Sequence, residues 1–222
     1  FPWIKNRDAA DNHMLFDRVR GVGNDLHSND ASIEVFNVNT QQRFLQRGVQ
    51  VGNDVEVNTA NESYVLWQWL LGDSATTGST TSPAGSIPST SIVSAAGNFS
   101  VVSWTGTAAV GTVGHGLGAK PDLIIVKSRT VALNWPIYST PTTALKVFYL
   151  DSTNDPQVSG AGQWNDTEPT ASVFSLGNSG DGNPSGASQI AYCFKSIPGM
   201  SKVGTYIGNG STNGPYVSCG FT

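Results

Sequence analysis

Charge is scarce in this sequence. Asp, Glu, Lys and Arg together make 13% of its 222 residues, about half the usual quarter. The 12 basic residues are scattered and the net charge is −4. Phosphate backbones are held by clustered Lys and Arg, so nucleic acid is excluded as an expected partner. No apolar run approaches the roughly 20 residues of a membrane-crossing helix. Cysteine is nearly absent. Cys193 and Cys219 are too few for a disulfide framework and are expected to be unpaired thiols. Strong helical periodicity is missing too. Even Asp11–Gly21, the nearest approach, is expected to be extended.

What is present is glycine, 25 residues of it, with many Asn, Ser and Thr and 38% apolar residues. That mixture suits short strands joined by tight turns, an all-β protein with an adequate core. The sequence also repeats itself. Phe99–Thr107 (FSVVSWTGT) returns as Ser201–Asn209 (SKVGTYIGN), 102 positions later. Ile4–Arg7 (IKNR) returns as Val126–Arg129 (VKSR), 122 positions later. The second register continues through Phe16 with Tyr138 and Leu26 with Phe148. It then becomes 125, pairing Gly52 with Gly177 and Val65 with Ile190.

Internal repetition defines units. Unit A covers 1–73, a Ser/Thr/Gly/Pro-rich linker or edge segment covers 74–97, unit B covers 98–199, and a third, partial unit covers 200–222. The chain therefore opens and closes partway through a unit. Its terminal half-units are expected to complete each other, within or between chains, or to continue in a longer fibre. Alternation places Val65, Trp67 and Trp69 on one face of a strand, matched by Ile190, Tyr192 and Phe194, and both faces are expected to line the core of their own unit. The unbroken apolar run Leu123–Val126 predicts a strand buried on both sides, and Ser86–Ser94, with its proline, an edge strand.

The signatures FSVVSWTGTAAVGTVGHGLGAKPDLIIVKSR, WNDTEPTASVFSLG, IAYCF and YIGNGSTNGPYVSCGF, in that order, resemble the repeat domains of phage tail-fibre and related virion proteins of the marine and cyanobacterial type. The resemblance covers nearly the whole chain and is weakest in the Ser/Thr-rich linker. It implies tandem β-sandwich units, concanavalin-like or jelly-roll in form. It also implies a non-enzymatic virion structural protein, made in the host cytoplasm. Its partners would be other copies of itself, as a trimer if it builds a tail fibre, and other virion proteins. No cofactor or metal is expected.

The repeat also tests each candidate for chemistry. His115 becomes Val217 in the third unit, and His13 and His27 correspond to Trp135 and Tyr149. None has metal-ligand spacing. The acid pairs Asp166 with Glu168 and Asp54 with Glu56 invite a polysaccharide depolymerase, whose two carboxylates stand about 5–9 Å apart. Neither pair recurs. Asp181 is a lone carboxylate among turns, short of a calcium site. Trp104, Trp135, Tyr138 and Trp164 form a possible sugar-stacking set. Trp104 and Tyr138 recur as Tyr206 and Phe16, as core positions do, which leaves Trp164 and Trp135 as the candidate residues for a host-surface glycan. Lys5 with Arg7 and Lys127 with Arg129 do recur, and are expected to anchor strand ends or to pair across units.

Overall fold

The computed structural model describes residues 1–72, 80–82 and 84–221. Residues 73–79, which include the start of the linker, lie outside them, as do residues 83 and 222. The first half contains β1 (Pro2–Asn6), β2 (His13–Leu15), β3 (Asn24–His27), β4 (Val35–Phe36), β5 (Gln41–Leu45), β6 (Gly48–Val51), the single turn α1 (Val55–Asn58) and β7 (Tyr64–Gln68). The second half contains β8 (Thr80–Ser82), β9 (Ser89–Val93), β10 (Phe99–Thr105), β11 (Gly111–Gly114), β12 (Leu123–Ser128), β13 (Pro136–Ser139) and β14 (Lys146–Tyr149). It continues with β15 (Gln157–Val158), α2 (Gly160–Gln163), β16 (Val173–Leu176) and β17 (Ser188–Phe194).

These elements form an all-β sandwich. One sheet has the order β4-β3-β2-β1-β7 and the other β15-β14-β13-β12-β17-β10-β9-β8. The first five strands of the second sheet repeat the order of the first, strand for strand. Thus β1 corresponds to β12, β2 to β13, β3 to β14 and β7 to β17. The three strands β10, β9 and β8 have no counterpart in the first sheet.

The two sheets, one from each repeat, pack face to face. Phe1, Leu15 and Leu26 share a buried cluster with Phe99, Val101, Ile125, Trp135, Ile137 and Tyr192. Rings interlock across it: Phe1 stacks on Tyr192 at 4.5 Å, and Trp69 meets Phe194 edge-on at 5.6 Å. The outer face of each sheet is covered separately. The hairpin of β5 and β6 contributes Phe44 and Val51 to a cluster with Ile4, Met14, Phe16 and Val57. On the other side Val113, Phe174 and Leu176, from the paired β11 and β16, cover Val102, Val126 and Tyr138. The repeat explains the layering. Positions four and sixteen, Ile4 and Phe16, face outward in one sheet, and their matches Val126 and Tyr138 face outward in the other.

Three sequence readings change here. The face carrying Ile190, Tyr192 and Phe194 lies against the opposite repeat rather than inside its own unit. Its match is only partly covered, since Trp69 joins that core but Trp67 is 45% exposed. Strand β9 is not an edge, because Pro88 falls outside it and it pairs with both β8 and β10. The run Leu123–Val126 is covered on both faces as expected, Ile124 and Val126 by the outer core and Leu123 and Ile125 by the core between the sheets.

Candidate functional site

The two tryptophans nominated for glycan stacking are interior residues. Trp135 is fully buried. Its indole Nε1 donates to the carbonyls of His27 and Asp30, at 3.0 and 2.8 Å. Trp164 is also buried, edge-on to Tyr138 with ring centres 6.1 Å apart. Neither presents a ring face to solvent, so neither can stack on a sugar. Trp164 stands at the end of α2, where the chain turns inward. The polar residues around it form that turn, while the ring itself enters the outer core.

Three of the four paired acids are tied into the fold by hydrogen bonds. Glu168 accepts from Tyr138 Oη at 2.6 Å, from Lys120 Nζ at 2.7 Å and from the Ala144 amide at 2.7 Å. Burial alone would raise its pKa, but these three donors outweigh burial and hold the carboxyl below the usual range. An acid tied to three donors is poorly placed to shuttle a proton. Its neighbour Asp166 sits in a left-handed turn with φ 44°. Asp54 caps α1 by accepting from the Glu56 amide at 2.9 Å, and Glu56 accepts from Asn12 at 2.8 Å. Asp181 accepts from the Tyr149 hydroxyl at 3.0 Å. Among the described residues, no group of three or more His, Cys, Asp or Glu is arranged to hold a metal.

Each histidine is tied to the protein as well. His115 is buried. Its Nδ1 accepts from the Leu117 amide, so its Nε2 carries the proton that reaches the Thr170 carbonyl at 3.2 Å. Burial lowers its pKa. His13 accepts from the Trp3 indole and is lowered by burial and by Lys5. His27 is raised, chiefly by Asp25, with Glu56 and Asp30 adding to the effect. The thiols are unpaired, Cys193 buried and Cys219 exposed.

Of the recurring basic residues, those of the second repeat tie the two repeats together. Lys127 is buried, and its ammonium donates to the carbonyls of Leu133 and, across the sheets, Ala31. Burial lowers its pKa to about 8. Arg129 makes a two-pronged pair with Glu34, at 2.9 and 2.6 Å. The equivalent Lys5 holds the carbonyls of Asn6 and Ala9. The sequence carried no sign of the deepest tie: Asp17, buried between the sheets, accepts from both Arg20 and Tyr192. The match Asp17 to Ser139 breaks the repeat there, so recurrence could not reveal it.

Among the described residues, one edge open to a partner lies along β7. This strand is the edge of its sheet, with β1 on one side and no strand on the other among the described residues. Leu66 and Trp67 are each 45% exposed, whereas their matches Ala191 and Tyr192 are fully buried beneath neighbours. Beyond the end of β7 a cleft of about 460 Å³ opens. Phe1, Trp69 and Leu71 line it together with Arg18 and with Gln46 and Arg47 from the hairpin tip. A lining that mixes apolar side chains with amide and guanidinium groups is chemically suited to a polar, ring-bearing ligand or to a segment of chain.

No curated protein and no solved structure matches this chain. One family model, described as a domain of unknown function (DUF7483), matches residues 1–222. An all-β pair of stacked repeats is thus the structure of a member of the DUF7483 family, to which this chain belongs.

Proposed function

We propose that the chain is a non-enzymatic structural module of a bacteriophage virion, part of a tail fibre or another surface element, which assembles with copies of itself. One observation carries this reading. The residues that recur between repeats are core and tie positions, and the acids and histidines that could do chemistry are bonded into loops and turns. Such a molecule spends its polar groups on rigidity. The module would be made in the host cytoplasm and reside in the particle, as a trimer in a fibre. Antibodies raised against the chain test this on intact particles of the phage that encodes it. Electron microscopy should show them decorating tail or head at a symmetric set of points. Particles that carry the protein by mass but bind no antibody at any defined position would refute a surface structural role.

A second reading, a host-glycan adhesin, is favoured by the cleft beside Trp69, which replaces Trp164 and Trp135 as its site. A glycan array read with the wild-type chain and with Arg47→Ala separates the two. Binding that falls with Arg47→Ala supports the adhesin, and an array without signal leaves the structural module.

A further inference from the structure

The inner face of the second sheet changes chemistry along its strands. Phe99 and Val101 of β10, Ile92 of β9, and Ile190 and Tyr192 of β17 lie in the core between the sheets. Side chains of one face recur at every second residue. The same face therefore continues as Ser103 and Thr105, as Thr90, and as Ser188, with Arg129 just past the end of β12. These five residues line a cleft of about 300 Å³. Thr105 is exposed and the other four are partly exposed.

The cleft floor is a set of hydroxyls in register. Thr90 stands opposite Ser103, and Thr105 opposite Ser188. Strand geometry places rung partners about 5 Å apart and the two rungs about 7 Å apart. Neighbouring hydroxyls outside this face are tied into the fold. Ser89 donates to the Gly114 carbonyl, Ser128 accepts from Gln189, and Thr130 accepts from the Ser188 amide. Among the described residues, the four hydroxyls of the floor have no such partner. Arg129 gives Nε and Nη2 to Glu34, which leaves its Nη1 outside the pair.

This shelf stands apart from both termini and from the residues that flank 73–79. Phe1 stacks on Phe99 and Tyr192, and Met200 lies at Asn98. Gly72 bonds to Val93, and Thr80 pairs with Ser91. All of these lie on the Phe99 side of the two rungs.

We propose that the shelf binds a neutral carbohydrate, whose ring hydroxyls bond to the two rungs and to Arg129. The lining narrows the choice. No carboxylate lines it, so it offers a metal ion little. Arg129 is already neutralised by Glu34, which weakens the case for a simple anion. Strand β10 is paired on both sides, by β9 and β17, so no backbone edge is offered to a peptide. What the floor presents is groups that both donate and accept, spaced a few ångströms apart. A polyhydroxylated ligand answers them in kind. The inference rests neither on placement in a virion nor on the cleft beside Trp69, so it stands or fails separately from both readings above.

The test is an array of neutral and acidic oligosaccharides read with four full-length proteins: the wild type, Thr105→Val, Ser188→Ala and the double variant. Arg47→Ala is read beside them. Thr105→Val keeps the side-chain shape, and neither hydroxyl holds the fold, so thermal midpoints should stay unchanged in all three shelf variants. Neutral oligosaccharides should bind the wild type. Affinity for the brightest of them should fall about fivefold with each single change and about twentyfold with both, as loss of one and two hydrogen bonds predicts. Arg47→Ala should leave it unaltered. A wild-type array without signal from neutral sugars would overturn the proposal, as would signal confined to sulfated or carboxylated ones. Binding that survives the double variant but is lost in Arg47→Ala would move the site to the cleft beside Trp69 and overturn the shelf.

Discussion

The hydroxyl of Tyr192 donates a 2.8 Å hydrogen bond to the carboxylate of Asp17, joining the two repeats at the centre of the sandwich. Asp17 also accepts from the Arg20 guanidinium, and both side chains are shut off from water. Burial alone would raise the Asp17 carboxyl, yet Arg20 outweighs it and keeps the acid ionised. Arg20 is held in turn by the Leu15 and Asn24 carbonyls. Removing the acid strands a buried cation. Asp17→Ala should therefore cost about 3–5 kcal/mol. Tyr192→Phe, which removes one donor and leaves the ring, should cost about 1–2 kcal/mol. Urea unfolding of the two variants checks the order. A larger loss for Tyr192→Phe would contradict it.

Gly52 and Gly177 occupy matched positions in the two repeats, and each is a point of close backbone approach. A Cβ at Gly52 would run into the Asn39 carbonyl, and one at Gly177 into the carbonyls of Ala161 and Gly162. Backbone cannot step aside as a flexible side chain can. Gly52→Ala and Gly177→Ala should each lose about 2 kcal/mol or more, whereas Gly48→Ala, in open space, should lose little. Thermal midpoints of the three variants decide this.

Stability should fall on mild acidification, with a sign set by each histidine. His13 and His115 have lowered pKa values in the folded chain, so between pH 7 and 5 the unfolded chain takes up protons that the folded chain refuses. Stability is then lost as pH drops below about 6.5. His27 is raised, so its contribution is complete below that pH and is lost as pH rises through its folded value. Urea midpoints against pH should flatten in His115→Asn and decline more steeply in His27→Asn. The reverse pattern would mean that these shifts have the opposite direction.

The two thiols should differ sharply in reactivity. Cys193 is fully buried, and burial pushes its thiol up to about 12. Cys219 lies on the exposed segment. A disulfide reagent should titrate one thiol in the native chain and two in denaturant. Two thiols reacting at the same native rate would show that the outer core opens readily.

Much of this architecture was legible as sequence. The alternation in Tyr64–Gln68 and Ser188–Phe194, the apolar run of β12 and the glycine-rich turns all specify strands. The repeat registers foretold that β1, β2, β3 and β7 would reappear as β12, β13, β14 and β17. They also marked Lys127 and Arg129 as ties. The candidate site was less legible. Trp164 lies in a polar loop that reads as surface, and only the fold shows the ring turning into the outer core. The Asp17–Arg20–Tyr192 contact joins residues 175 positions apart and occurs in one repeat alone, so neither spacing nor recurrence marked it.

Fold class, strand positions and repeat order are local properties, because side-chain period and turn chemistry act over a few residues. They were set by the sequence by itself. Which face is covered, and by what, was decided only in three dimensions. Trp67 and Tyr192 stand at the same repeat position with the same parity. Tyr192 is buried because β10 and the opposite sheet lie over it, and Trp67 is half exposed where its edge has no neighbour among the described residues. Burial depends on what the rest of the chain brings across, and no local pattern encodes that.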